Sequence, residues 1–397
     1  MPGYFATKAG VPVRRMIALK RTTAAAVYAV KTNSQIHSFR QHFIHFHRLR
    51  YIMDKPVIGL VQGDPAGIGP ELMVKLLHDE EVRNRAHIVI IGAPSVITRG
   101  EAATDSTIER RHVSEVDTDA ITQELLHLDL DIEGIDDVPI ATVSAAGGKS
   151  SLTGLRTAFE LSKAGVIDGV CFMPFNKESM HKGGNQFMDE IGFARDFFGV
   201  TTRASEFNIA HGMWNGRVTS HVAMKDVPDM LSEERICDSI ELAHNTLKMA
   251  GYDRPRIVVA AYNPHAGEGG LMGREEIDII KPAVVKMQER QMSVEGPFPS
   301  DTLWLKVRDG QYDVVVTMYH DQGQIAIKLL GFDEGVSMLA GLPVPVTTPA
   351  HGTAFDIAGK NKANLTPARN AFMMVCDMAE GLSRQGGWYQ GDMTGEN

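Results

Sequence analysis

Residues 56–77 read PVIGLVQGDPAGIGPELMVKLL. A short run rich in branched apolar residues, Val57–Val61, meets a glycine- and proline-rich turn, Gly63–Gly69, and then a helix-like stretch, Pro70–Leu77. Working outward, the same alternation recurs. Strands are expected at His87–Ile91, Val166–Phe172, Arg217–Val222, Arg256–Ala261, Tyr312–Met318 and Val344–Thr348. Helices are expected at Ser150–Ala164, Glu233–Met249, Arg274–Glu289 and Ala368–Gly381. Asp64 and Pro65 before Glu71, and Gly251 after Met249, supply helix-end signals. Continuous apolar strands between amphipathic helices imply an α/β fold with a largely parallel sheet covered on both faces.

The 397 residues are enough for two or three domains, with 43% hydrophobic and 22% charged residues, as in ordinary globular proteins. No run of eighteen apolar residues is present, so a membrane-spanning helix is not expected. Cys171, Cys237 and Cys376 are too few and too far apart for a disulfide framework, which fits a reducing, cytoplasmic setting. The net charge of −9 argues against a general nucleic-acid binder. Residues 1–53 stand apart, with nine Lys or Arg and no Asp or Glu. They fit a transit peptide, a nucleic-acid or membrane arm, or translated upstream sequence with Met53 as the natural start. The last is preferred, because the first strand begins directly after Met53. His37, His42, His45 and His47 in this segment are given no function.

Three histidines follow expected strands: His221 in TSHVAMKDV, His265 in NPHAGEGG and His320 in MYHDQGQIAIK. A single histidine is most often a satisfied structural residue. Three at strand ends suit a zinc or similar divalent ion that polarises a substrate hydroxyl. Asp321 and Asp301 are candidate supporting carboxylates, although Asp301 could equally be a helix N-cap before Thr302. Lys328 and Lys177 are candidates for binding a carboxylate or moving a proton, against the bland reading of solvated surface lysines. The segment HGTAFDIAGKNKAN, His351–Asn364, could bring backbone amides against a phosphate or nucleoside, or be a tight turn. Two apparent motifs are set aside. Gly63–Gly69 lacks dinucleotide-fingerprint spacing, and Gly148-Lys149-Ser150 lacks the first glycine of a phosphate loop, since position 143 is Val.

The stretches PVIGLVQGDPAGIGPEL, PFNKESMHKGG, TSHVAMKDV, NPHAGEGGLMGREE, GPFPSDTLW, MYHDQGQIAIKLLGF and HGTAFDIAG run in the order of the 4-hydroxythreonine-4-phosphate dehydrogenase family, which the chain resembles from Lys55 onward. That resemblance implies a homodimer of two α/β/α domains with an interdomain cleft, like isocitrate and isopropylmalate dehydrogenases. It further implies a nucleotide-binding domain at 54–180 plus 325–397 and a metal, substrate and dimerisation domain at 181–324. Within it, His221, His265 and His320 match the family's metal ligands. The ion would be zinc, with magnesium, manganese, cobalt or iron as alternatives. His351, Gly352, Thr353, Asp356 and Asn364 would hold NAD, since their loop is similar to the adenosine loop of isopropylmalate and isocitrate dehydrogenases. The implied chemistry is oxidation of a hydroxyl beta to a carboxylate, followed by loss of carbon dioxide.

The substrate positions depart from the family pattern. Asp189-Glu190-Ile191-Gly192 replaces Gly-His-Thr-Glu, Ser337 stands for an asparagine and Val346 for an arginine, while Lys328 is kept. Lost cationic groups and an added carboxylate disfavour a phosphate dianion. The segment HDQGQIAIKLL resembles the aromatic cis-dihydrodiol carboxylate branch of the family, such as terephthalate dihydrodiol dehydrogenase, and that resemblance implies such a substrate, with Glu190, Lys328 and Ser337 beside it. The alternatives are 4-hydroxythreonine 4-phosphate or a phosphorylated four-carbon sugar acid. An acyl-phosphate transferase and a non-catalytic metal-binding protein are the rivals from other classes. Neither a nucleic-acid nor a membrane partner is expected.

Overall fold

In the computed structural model, residues 55–384 are described, apart from 118, 119 and 122. Chain contacts divide the protein after Met53 into the units Met1–Met53 and Asp54–Asn397. The expectations for residues 1–53 lie outside the described residues. Twelve strands form one sheet: β1 (Val57–Val61), β2 (His87–Gly92), β3 (Arg111–Val113), β4 (Leu126–Asp129), β5 (Gly169–Phe172), β6 (Ser205–Ala210), β7 (Met213–Arg217), β8 (Ile257–Ala260), β9 (Val294–Phe298), β10 (Val314–Thr317), β11 (Val336–Ala340) and β12 (Val346–Pro349). Their order across the sheet is β3-β4-β2-β1-β5-β12-β11-β6-β7-β10-β8-β9.

Two parallel blocks meet at an antiparallel seam. Strands β3 to β12 on one side run parallel, as do β7, β10, β8 and β9 on the other. Between them β11 is antiparallel to both β12 and β6, and β6 is antiparallel to β7. The fold is α/β with a mostly parallel sheet, as the opening stretch implies.

Strand β1 shows why. All five residues are buried, so period-two alternation sends side chains into two apolar layers. Ile58 and Leu60 pack with Leu72, Phe372 and Val375 from the helices Gly69–His78 and Thr366–Arg384. Val57 and Val61 pack with Leu155 and Phe159 of the helix Ala145–Lys163 on the opposite face. Each such side chain contributes roughly 1.5–3 kcal/mol of burial. The helix Ala145–Lys163 also presses against the helix Lys177–Lys182 at Gly148, where a Cβ would lie 1.7 Å from the Ser179 carbonyl oxygen. The Gly148-Lys149-Ser150 string is thus a helix-packing feature, consistent with setting it aside.

Several expectations are corrected. The strand expected at Arg217–Val222 is Met213–Arg217, because residues 218–222 leave the sheet to carry His221 outward. Asp64 does not cap the first helix: Ile68 is its N-cap, with no side-chain bond, and Pro70 sits in the first turn. The helix expected at Arg274–Glu289 is a π turn, Glu276–Ile280, leading into Lys281–Glu289. Gly251 does adopt the left-handed conformation, φ 93°, after the helix Glu233–Met249. The three cysteines are buried and unpaired. Among the described residues no helix is long and apolar enough to cross a membrane.

One strand in from the sheet edge, His127 is fully buried on β4. Its Nε2–H donates to the Gly92 carbonyl at 3.1 Å, and Arg110 Nε–H donates to its Nδ1 at 3.3 Å. Burial pushes its pKa down to about 4, against a smaller opposing pull from Asp129. The unfolded chain takes up a proton near pH 6.5, which the folded chain refuses until about pH 4. Stability is therefore retained above pH 6.5 and lost as pH falls through this window, by an order of about 3 kcal/mol in total. His127→Gln should flatten that slope. Urea unfolding of both proteins at about pH 7 and about pH 5 checks it; a slope unchanged by the substitution would contradict the assignment.

Candidate active site

The order β7-β10-β8 places three parallel strands side by side, and each is followed by one of the expected histidines. His221 comes four residues after β7, His320 three after β10 and His265 five after β8. The rings of His221 and His320 lie 5.5 Å apart between centroids. Each has a carboxylate at Nδ1: Asp189 Oδ2 at 3.3 Å for His221 and Asp321 Oδ1 at 2.7 Å for His320. With Nδ1 engaged, Nε2 is left on each ring as the atom able to ligate a cation.

His265 sits differently. It is exposed and opens a turn in which His265 to Gly269 all have φ between 44° and 76°. His265, Ala266 and Glu268 carry side chains in this left-handed region, at about 1–2 kcal/mol each. The turn is held by Glu276, a buried carboxylate. Its Oε1 accepts from the amides of Tyr262 and Asn263 at 2.8 and 2.7 Å, and its Oε2 from Asn263 Nδ2 at 3.0 Å. Within one chain the structure brings two of the three imidazoles together. Among the described residues, the group of three metal-competent side chains with ligating atoms all within 4.8 Å is His112, His127 and Asp129, not these. That group is a poor cation site, because both nitrogens of His127 are engaged and one of them faces the Arg110 guanidinium.

The supporting candidates separate clearly. Asp321 lies against His320, its Oδ1 at 2.7 Å from Nδ1. Asp301 is exposed in the first turn of the helix Ser300–Arg308, whose N-cap is Pro299, so the N-cap reading is corrected. Gln322, not singled out from sequence, ties the strand ends together. Its Oε1 accepts from the Met318 amide at 2.7 Å, and its Nε2 donates to Ala261 O at 2.6 Å and Ser300 Oγ at 2.8 Å.

A pocket of about 210 Å³ lies against the antiparallel seam and includes Asp189 in its wall. Lys177, Glu190 and Ser337 also line it, together with His351 and Gly352. Candidates assigned separately to substrate and nucleotide are thus brought together. Ser337 Oγ donates to Glu206 Oε1 at 2.6 Å and accepts from Asn208 Nδ2 at 2.9 Å. His221 holds the Asp189 carboxyl below its usual range, while burial raises that of Glu190 despite nearby Lys177. Burial lowers the pKa of His351, whose Nδ1 donates to the Gly352 carbonyl at 3.0 Å.

Lys328 does not line this pocket. It is exposed, eight residues along the helix His320–Gly331, and so about 12 Å along the axis from His320. The rest of the His351–Asn364 loop is anchored rather than free. Thr353 is buried against Gly67, where a Cβ would meet it at 2.7 Å, and its carbonyl accepts from Ile68 N at 3.0 Å. Glu71, also buried, accepts from the amides of Asn361 and Ala363. Asn364 is spent on local structure, accepting from Thr366 N at 3.0 Å and donating to Asp333 O at 3.3 Å. Asp356 is exposed. The glycine-rich Gly63–Gly69 turn is therefore the bed on which the His351 loop lies.

Glu276→Gln should leave part of the His265 turn unpaired and lower stability by about 1–3 kcal/mol. Urea unfolding measures this, and an unchanged midpoint would show that the clamp contributes nothing.

Comparison with known proteins places these features in a family. A family model described as "Pyridoxal phosphate biosynthetic protein PdxA" matches residues 84–375. The chain is 46% identical over 327 residues to a putative 4-hydroxythreonine-4-phosphate dehydrogenase 2 of Pseudomonas aeruginosa, covering 81% of this chain and 97% of that one. It is 36% identical over 319 residues to D-threonate 4-phosphate dehydrogenase of Salmonella typhimurium, covering 78% and 95%. Among solved structures, 4-hydroxythreonine-4-phosphate dehydrogenase from Klebsiella pneumoniae matches with TM-score 0.72 and 33% identity, over 82% of this chain and 99% of that one. A terephthalate 1,2-cis-dihydrodiol dehydrogenase from Burkholderia xenovorans matches less well, with TM-score 0.59 and 29% identity over 81% and 98%. These likenesses favour the phosphorylated hydroxy acids, which the sequence reading held as alternatives, over the aromatic dihydrodiol it preferred.

Proposed function

We propose, from the premise that this chain belongs to the PdxA family, that it is an NAD-linked, divalent-metal-dependent dehydrogenase of a small phosphorylated hydroxy acid, of the 4-hydroxythreonine 4-phosphate or D-threonate 4-phosphate kind. The observation that carries the reading is the His221–His320 pair with a carboxylate on each Nδ1. Two imidazoles bonded to one ion at about 2.0–2.1 Å would have centroids roughly 5–6 Å apart, so the donor set fits a zinc-like cation. Such an ion, when bound, lowers the pKa of a coordinated hydroxyl and favours hydride loss.

The chain's own groups supply the rest. Asp189 and Asp321 fix the two rings and make their outer nitrogens better donors. Lys177 is the lysine positioned in the pocket wall to meet a substrate carboxylate or move the hydroxyl proton. Ser337 would orient the substrate from the sheet face, and Glu190, with its raised pKa, could hold a proton. His351 and Gly352 adjoin the same pocket, which would bring bound NAD up to the substrate. With NAD bound, the carbinol carbon would give its hydride to the nicotinamide while Lys177 takes the hydroxyl proton. A ketone so formed beta to a carboxylate would release that carboxylate as carbon dioxide, and a proton would return to the carbon that loses it.

One observation favours a second reading. Lys177 faces three carboxylates in the pocket, Asp189, Glu190 and Glu206, beside Phe172, Phe175 and Leu339. A flat, weakly charged ring carboxylate would meet less repulsion there than a phosphate. A panel of both substrate classes offered with NAD, scored for NADH, decides between them. The proposal expects reduction with the phosphorylated hydroxy acids, and reduction with dihydrodiol carboxylates alone would replace it by the second reading. His221→Ala and His320→Ala should abolish metal-dependent turnover while leaving a folded chain, whereas Asp189→Asn and Asp321→Asn should weaken metal affinity or activity by about 10–100-fold. Retained turnover in both histidine variants would remove the mechanism.

We further propose a homodimer. The helix His320–Gly331 and the following turn expose Ile325, Leu329 and Phe332, at 60%, 83% and 63%, as one apolar stripe at helical spacing. Lys328 lies within this face. Leu329→Asp should shift the protein toward monomer in sedimentation; an unchanged mass would place the contact elsewhere.

A further inference from the structure

A second cavity, of about 610 Å³, opens where residues 201–205, the end of β7 and the first turns of the helix Glu233–Met249 meet. Four arginines line it: Arg195, Arg203, Arg217 and Arg235. Arg217 is the deepest, with a side chain wholly shielded from solvent. Its Nη2 meets Glu206 Oε2 at 3.1 Å, but its Nε and Nη1 are buried with no hydrogen-bond partner among the described residues. The Nε atoms of Arg195, Arg203 and Arg235 are buried and unpartnered in the same way.

Five such donors around one cavity are costly, because an unsatisfied buried N–H on a charged group forfeits its hydration without return. Their geometry is fixed from behind. Arg203 Nη2 donates to the carbonyls of Arg217 and Val218 at 2.8 and 2.6 Å, which holds its guanidinium against the wall. Burial, and then the neighbouring Arg235, push the Arg203 pKa down to about 10, with Asp238 opposing. Asp229, Glu234 and Asp238 also border the cavity, but all three are exposed and leave the buried N–H groups unpaired. Four arginine side chains line this polar space, and forked guanidinium donors are the chemistry that recognises a phosphate, by paired N–H···O bonds.

We propose that this cavity binds a small phosphate-bearing anion at a site separate from the pocket containing Lys177. Glu206 stands between the two, since Oε2 takes Arg217 and Oε1 takes Ser337. One carboxylate is thus shared by both sites, and anion binding at Arg217 would be felt at Ser337.

Calorimetric titration of the full-length protein with inorganic phosphate, in a buffer without other oxyanions, tests the site. Saturable binding is expected in the wild type. It should weaken about tenfold or more in Arg203→Gln and in Arg235→Gln, both only partly buried positions where a folded protein is expected. Lys177→Ala should keep it. That last variant separates this proposal from the proposed function, because a phosphate seated in the Lys177 pocket would be lost there instead. No saturable binding at millimolar phosphate, binding unchanged in both arginine variants, or binding lost only in Lys177→Ala would each overturn the assignment.

Discussion

The structure depends most on the side-by-side packing of β7, β10 and β8. Val314 of β10 is in register with Trp214 of β7 on one side and Ile257 of β8 on the other. Parallel strands sit about 4.8 Å apart, so loops leaving their carboxyl ends emerge within one side chain's reach of one another. The 5.5 Å spacing of the His221 and His320 rings follows from that geometry. Residues nearly a hundred positions apart meet because the sheet interleaves them.

Around this frame the polar groups hold irregular backbone in position. Gln322 joins the ends of β8 and β10 to the helix Ser300–Arg308. Glu276 keeps five successive left-handed residues in place at His265. Glu71 and Lys75 do the same for the loop that ends at Asn364, with Lys75 Nζ donating to Ala363 O at 3.0 Å. Each is a buried or tethered polar group serving an irregular backbone, the pattern expected where a site needs fixed geometry.

Much of the fold was legible because it rests on local periodicity. Val57–Val61 and Glu233–Met249 match their expected bounds. Strands β6 and β11 were missed, since Ser205, Glu206, Asn208 and Ser337 break the apolar pattern, with Glu206 and Ser337 turned to the seam pocket. The histidines at strand ends were visible, yet the reach of Lys328 and the left-handed turn at His265 were not, because both depend on tertiary placement. Glu276, Gln322 and Arg217 gave no signal, as nothing in a sequence marks a charged or amide side chain as tethered inside the fold.

The account stands or falls on whether His221 and His320 share a cation. Crystals of the protein soaked in zinc or cobalt, measured at the metal's absorption edge, answer this directly. The account predicts one strong anomalous peak about 2.0–2.3 Å from Nε2 of both rings. A peak at His112 and Asp129 with none between His221 and His320 would contradict it.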